Sequence, residues 1–353
     1  MTLRGIASGA GEWLRGSGPH SDVVISSRVR LARNLAGFPF VNRSNRRQRY
    51  EVFEACRARI MNKRLADNTI WVPLIDSPAI DRQLLVERHL ISRDLARQKA
   101  DIPRAVAIGS DETFAIMVNE EDHLRIQVLR SGMQLAEGFD QINRIDDILE
   151  EKLDFAYSRR FGYLTACPTN VGTGIRVSVM MHLPGLKLTG EIDKVKRAAR
   201  DMHLAVRGLF GEGSENLGDL YQVSNQTTLG RTEKETLADF EKAVIPQIIA
   251  YEQQARQALV RQREKQLDDK IWRAWATLTH ARVLSTDEAL QYLSHVRLGV
   301  HLGRLDKTDI RTVNELLLLC QPAHLQKVMD QEMTPAARRI ARADLMRQRL
   351  GAR

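Results

Sequence analysis

Val23-Val24-Ile25-Ser26-Ser27-Arg28-Val29-Arg30-Leu31-Ala32-Arg33-Asn34 opens as a β-branched run and continues into a segment dense in arginine. On a strand, side chains alternate between faces, so Arg28 and Arg30 point the same way. Two guanidinium groups held side by side repel each other. Such a pair sits either on a solvated edge balanced by carboxylates or around an anion, and a polyphosphate matches the second case.

Working outward, residues 1–22 are rich in Gly and Ser and read as an irregular arm. Residues 46–64 place Tyr50, Phe53, Arg57 and Ile60 at helical spacing, and residues 80–99 follow the same pattern. Three short runs, 104–109, 113–118 and 123–129, have turn residues Gly109, Ser110 and Asp111 between the first two, and predict an antiparallel meander. A helix is expected from about 140 to 158. A second strand group, 174–182 and 219–225, brackets a helix near 191–203. From Thr232 strand signals stop. The pattern becomes helical, broken at Pro246, with further segments around 271–281, 286–297, 309–319 and 335–350. The expected class is α+β: a mainly antiparallel sheet flanked by helices, then an all-α region. The expected divisions are an arm over 1–22, a catalytic unit over 23–253 and a helical unit over 254–353.

Composition narrows the function classes. The chain has 353 residues, 43% hydrophobic and 27% charged, which suits a folded globular protein and excludes wholesale disorder. No apolar stretch approaches the roughly 18 residues of a membrane helix, and the start lacks a signal-peptide core, so the expected address is the cytoplasm. Cys56, Cys167 and Cys320 lie far apart with no CxxC pair, against a disulfide framework or a structural zinc site. The net charge of +9 is uneven: residues 254–353 hold 18 basic and 11 acidic residues, mostly arginine among the basic ones. Arginine there favours bidentate recognition of oxyanions. No glycine fingerprint joins a strand to a helix, and no GxxxxGK[ST] is present, so neither nucleotide-fold shortcut applies.

Three further constellations accompany the arginine strand. Asn119-Glu120-Glu121-Asp122-His123-Leu124-Arg125 is an acidic turn at a strand entrance. Alone it is a solvated turn; facing the arginines across a cleft, it supplies carboxylates for a cationic group opposite a site for an anionic one. Cys167-Pro168-Thr169-Asn170-Val171-Gly172-Thr173-Gly174-Ile175-Arg176 carries polar ligand groups on a glycine-containing loop. Its cysteine is either a buried free thiol or a polarised one. Arg207-Gly208-Leu209-Phe210-Gly211-Glu212-Gly213 reads as a flexible loop with Glu212 near its tip, either an ordinary turn or a lid over substrates.

These segments, with SNQTTLGRTE at 224–233, resemble in content, order and separation the ATP:guanido phosphotransferases, the phosphagen kinase family of creatine and arginine kinases. The resemblance implies a glutamine-synthetase-like catalytic domain. It implies that Arg28, Arg30, Arg125, Arg176 and Arg207 clamp ATP phosphates, with Ser26, Ser27 and His89 near the nucleotide. ATP and Mg²⁺ are the implied cofactors, with the metal held by phosphates and water and no protein ligand. Glu121 matches the catalytic carboxylate, Glu212 the second carboxylate that grips the acceptor guanidinium, and Cys167 the reactive cysteine beside it. The sequence as given begins almost at the arginine strand, where the family usually has a preceding helical domain, and continues into helices after the catalytic unit; the expected architecture resembles that of the bacterial protein arginine kinases. An open cleft of this kind is expected to admit arginine side chains of proteins; a free guanidino compound is the alternative acceptor, and a phosphoarginine- or nucleic-acid-binding adaptor on an inactive scaffold the alternative from another class. In those bacterial relatives an RDxxRA motif forms a phosphoarginine pocket. Here Arg338, Arg342 and Ala343 match, while Arg339 stands where aspartate is expected. Kinship further implies a zinc-binding activator protein, a repressor of heat-shock genes and the Clp protease machinery as partners, and a homo-oligomer, with no membrane or direct nucleic-acid contact.

Overall fold

The computed structural model describes residues 9–61, 65, 69–97, 102–109, 111–209 and 216–351. The arginine segment is the strand β1 (Val24–Arg33), and α1 (Arg46–Ile60) follows, its start fixed by a reciprocal Asn45–Gln48 capping box. Next come β2 (Ile70–Pro73), α2 (Ala79–Glu87), α3 (Arg93–Ala96), and the meander β3 (Ala105–Ile108), β4 (Phe114–Val118) and β5 (Leu124–Ser131). The single helix expected over 80–99 is two, because His89 adopts a left-handed φ of 59° that ends α2. Then follow α4 (Leu135–Glu150), the small hairpin β6 (Tyr157–Ser158) and β7 (Gly162–Tyr163), β8 (Ile175–His182), α5 (Pro184–Thr189), α6 (Ile192–Asp201), β9 (Leu204–Arg207) and β10 (Leu220–Asn225). α4 begins earlier than the helix expected over 140–158, and β2 and β9 went unread in the sequence.

Eight strands form one sheet in the order β2-β3-β4-β5-β1-β8-β10-β9, and its pairings are antiparallel. β1 lies at its centre. Its odd-numbered residues Val29 and Leu31 lie opposite Val128 and Ile126 of β5 and Val177 and Ile175 of β8. These join one apolar core with Phe139, Ile142 and Leu149 of α4. At about 25 cal/mol per Å², burial of such side chains contributes roughly 1.5–3 kcal/mol each, which fixes the register and therefore which residues face the other way.

That other face is divided lengthwise. At one end Leu129, Met180 and Leu220 join a second core with Trp13, Leu14 and the helices of the C-terminal region. Those helices are α7 (Glu233–Asp239), α8 (Ile245–Gln262), α9 (Glu264–His280), α10 (Thr286–His301), α11 (Ile310–Leu319), α12 (Pro322–Val328) and α13 (Pro335–Leu350). A π-helical stretch, Phe240–Val244, joins α7 to α8, so Pro246 lies in the first turn of α8 and does not break the path. α8 passes through residue 253 and binds both regions together. Its buried Glu252 accepts from the backbone N–H groups of Gly185 and Leu186 at 2.9 Å each. The arm is docked: Trp13 is buried against His89, with ring centroids 4.7 Å apart. A second bolt joins α12 to α2. Glu87 accepts from Ala323 N, His324 N and His324 Nδ1, while Arg88 makes a bidentate pair with Glu112. Among the described residues no helix is long and apolar enough to cross a membrane.

Candidate active site

Beyond the end covered by helices, the same face of the sheet is lined with arginine. Arg30 lies opposite Arg176 on β8 and Gln127 on β5, Ala32 opposite Arg125, and Arg28 opposite Ser178. Ser178 faces Ser224 on β10, and Gln222, two residues earlier, faces Arg207 on β9. Directly paired residues share a face, so Arg28, Arg30, Arg125, Arg176 and Arg207 all project from it, on strands about 4.8 Å apart.

These like charges repel one another, although Arg125 pairs with Glu120. Desolvation, with repulsion from Arg125, Arg176 and Arg207, pushes Arg28 down to about 10; it remains protonated at neutral pH. Desolvation and the neighbouring arginines also lower Arg30, against a partial pull from Glu120. Arg28 is positioned by Ser178 Oγ at 3.2 Å and Gln222 Oε1 at 2.9 Å, both neutral acceptors that orient the fork without cancelling its charge. Arg176 donates to Asn170 Oδ1 at 3.4 Å. Gln222 and Ser178 were not singled out from the sequence, although counting by twos from Arg176 reaches Ser178; Asn170 lies in the loop read there as carrying polar ligand groups.

The predicted nucleotide residues divide. Ser26 is buried on the arginine face. Ser27 points to the opposite side, and its assignment to nucleotide binding is corrected: its hydroxyl donates to Gly132 O at 2.6 Å and accepts from Gln134 N at 3.0 Å, pinning the turn after β5. His89 lies beside the face, its carbonyl receiving Gln127 Nε2 at 2.8 Å. Burial, with repulsion from Arg28 and Arg93, lowers its imidazole to about 3, so it is neutral.

The acidic turn closes one end. Glu120 is buried; burial alone would raise its pKa, but Arg125, Ser92 and the Glu121 N–H hold it below the ordinary carboxylate range. Glu121 is exposed and pushed the other way, by desolvation and the charges of Asp122 and Glu120, against attraction from Arg125 and Arg30. Asp122 is buried and accepts from Asn34 Nδ2 at 2.6 Å and Ala166 N at 2.7 Å. Asn34 also donates to Leu164 O at 3.0 Å and accepts from His123 N at 2.9 Å. This network fastens the acidic turn to the loop that carries Cys167. Cys167 is half-buried, 3.1 Å from Thr169 Oγ1. The other two cysteines are buried and burial pushes both thiols up to about 12, which leaves them inert. Gly174, at φ 68°, brings the loop against β1: a Cβ there would meet Ala32 O at 2.7 Å. Glu212 lies outside the described residues.

Of the expected phosphoarginine pocket, Arg338 is half-buried and donates to Met333 O at 2.9 Å, while Arg339 is exposed. The other two belong to the helical core. Arg342 is buried, giving its protons to the carbonyls of Cys320, Leu284 and Arg338, and Ala343 is fully buried. Among the described residues no group of three or more His, Cys, Asp or Glu side chains is placed to hold a metal ion.

A sheet that presents five arginines to one side, with a carboxylate turn tethered to a cysteine loop at its end, defines a phosphoryl-transfer site between an anionic donor and a cationic acceptor. Residues 51–255 match the ATP:guanido phosphotransferase C-terminal catalytic domain, and residues 264–353 match the protein-arginine kinase McsB C-terminal domain. The chain is 47% identical over 341 residues to a protein-arginine kinase of Halothermothrix orenii, covering 96% of each, and 47% identical over 343 residues to that of Symbiobacterium thermophilum, again covering 96% of each. Among solved structures it resembles the duplicated taurocyamine kinase from Schistosoma mansoni with bound transition-state-analogue components, at a TM-score of 0.59 and 28% identity, covering 67% of this chain and 34% of that one. The chain belongs to the ATP:guanido phosphotransferase family.

Proposed function

We infer that this protein is a protein arginine kinase, which moves the γ-phosphoryl group of ATP to the guanidinium of arginine side chains in proteins. The observation that carries the reading is the set of five arginines that the sheet register gathers on one face, on a chain alike to protein-arginine kinases over nearly its whole length. The substrate is MgATP. Mg²⁺ would be held mainly by the phosphates and water and would help neutralise the charge on the transferring group, while Glu120 is engaged by Arg125 and Ser92.

Arg28, Arg30, Arg125, Arg176 and Arg207 take the charge of the triphosphate and of the phosphoryl group in flight. Glu121 and Cys167 hold the acceptor guanidinium, assisted by Glu212. A nitrogen of that guanidinium attacks the γ-phosphorus, the bond from phosphorus to the β,γ-bridging oxygen breaks, ADP leaves, and Glu121 takes the proton lost by the nitrogen. A carboxylate pushed upward suits this, since a free guanidinium keeps its proton to above about pH 12. The catalytic unit is residues 23–253, and residues 254–353 form a docking and regulatory unit. By family resemblance the enzyme works in the cytoplasm, as a homo-oligomer, with a zinc-binding activator, a heat-shock repressor and the Clp protease as partners.

Incubation with ATP, Mg²⁺ and either casein or free arginine tests the reading. Acid-labile phosphate is expected on the protein. Transfer to free arginine alone would overturn it in favour of a small guanidino substrate.

A further inference from the structure

A cleft of about 1100 Å³ opens on the opposite side of the sheet from the arginine face, where α4, the β6–β7 hairpin and the start of α7 meet. Asp146, Asp147 and Glu150 enter it from α4, Glu233 from α7, and Tyr157 and Tyr163 from the hairpin. At its base Arg33 shows how the cleft treats a guanidinium: the group lies 3.6 Å from the Tyr163 ring centroid and donates to Asp146 Oδ2 at 2.6 and 3.1 Å. The other oxygen, Asp146 Oδ1, is buried and finds no hydrogen-bond donor among the described residues, on a residue only 7% exposed. An unsatisfied buried carboxylate oxygen calls for a further N–H donor. The cations at the rim are otherwise engaged: Arg160 lies over Phe161, and Arg231 pairs with Asp239. Desolvation and the charge of Asp146 push Glu150 and Glu233 upward, a repulsion that an incoming cation would relieve. Tyr157 stands 61% exposed, an aromatic face open to cation–π contact.

The cleft adjoins the transfer site through one loop. Gly172 and Thr173 line it, and Cys167 lies earlier in the same loop. We propose that this cleft is a second docking site, which holds lysine- or arginine-bearing segments flanking the acceptor arginine of a protein substrate. The identity of the segment rests on the protein-arginine-kinase reading; the cation site itself rests on the cleft.

The test uses the full-length protein. A fluorescein-labelled lysine-rich peptide without arginine, which has no acceptor, is titrated and followed by anisotropy. It is expected to bind, to weaken about tenfold in the triple variant Asp147→Asn, Glu150→Gln, Glu233→Gln, and to weaken further in salt. Two peptides with a single arginine, flanked by lysine or by glutamine, are then compared with free arginine. KM for the lysine-flanked peptide is expected to rise about tenfold in the triple variant, while kcat and the other two KM values hold. Tyr157→Ala, which removes only an exposed ring, is expected to weaken the lysine peptide about threefold, so a folding defect in the triple variant leaves a second measure. Equal binding by wild type and both variants, or no binding at all, would overturn the docking site. Carboxylate-dependent binding without any phosphorylated arginine would leave the site standing and remove the kinase reading.

Discussion

Arg30 and Arg33 lie three residues apart on one strand and face opposite ways, and their surroundings could hardly differ more. Burial, with repulsion from Arg125, Arg28 and Arg176, lowers the pKa of Arg30, against a partial pull from Glu120. Arg33 is 1% exposed, paired with Asp146, stacked on Tyr163 and bonded to the carbonyls of Ala32 and Thr173. One is held in a field that disfavours it; the other is satisfied on every side. Uncompensated charge kept in a folded structure is the mark of a group that waits for a ligand, and compensated charge of one that supports the fold.

Substitution of the two residues should therefore separate activity from stability. Arg30→Ala is expected to lower kcat/KM for ATP-dependent transfer by about 10⁴-fold, the scale of a lost transition-state arginine. Its melting temperature should match or exceed that of the wild type, since removing one of several crowded like charges relieves repulsion. A clear fall in thermal stability would show that Arg30 supports the fold and would erase the contrast. Glu121→Gln sharpens the same point from the carboxylate side: kcat is expected to fall about 10³-fold while ATP binding, measured by calorimetry, holds, because in the proposed mechanism Glu121 meets the acceptor and not the nucleotide.

Arg33→Leu should do the reverse. It leaves Asp146 buried without its partner, and breaking a buried pair typically costs about 3–5 kcal/mol. Urea unfolding is expected to shift by that amount, while the fraction that stays folded keeps its kcat. Loss of kcat at unchanged stability would place Arg33 in the chemistry.

How much of this was legible differs between the same two faces. The alternation of Arg28, Val29, Arg30 and Leu31 specifies the sheet's two faces directly, and the acidic turn announces itself as a cluster, so the ATP face could be read from local pattern. Arg207 could be joined to it only through resemblance, because β9 reaches β1 across β10 and β8, a non-local pairing that period two does not encode. Ser27 was misread because a hydroxyl beside two arginines carries no sign of which face it takes. The helix over 80–99 failed at His89, where no glycine or proline warned of a left-handed residue. Arg342 belongs to this class as well: exposed and core arginines look alike in a helical pattern until carbonyls such as Cys320 O and Leu284 O are found beside them.

The smallest effect expected concerns pH, and it distinguishes Glu121 from His89. In the proposed mechanism Glu121 must be ionised to take the proton, and desolvation together with Asp122 and Glu120 sets its pKa above the ordinary 4.5. Protonation therefore begins at higher pH than for a free glutamate, and kcat should fall as pH drops through that raised value. His89, lowered to about 3, stays neutral across the same range and contributes no limb near 6.5. A kcat profile taken from pH 4 to 8 should thus show one acid limb, which is absent from the residual activity of Glu121→Gln and unmoved in His89→Asn. A limb that disappears with His89 would mean that the imidazole carries the proton, and that burial with the charges of Arg28 and Arg93 does not suppress it.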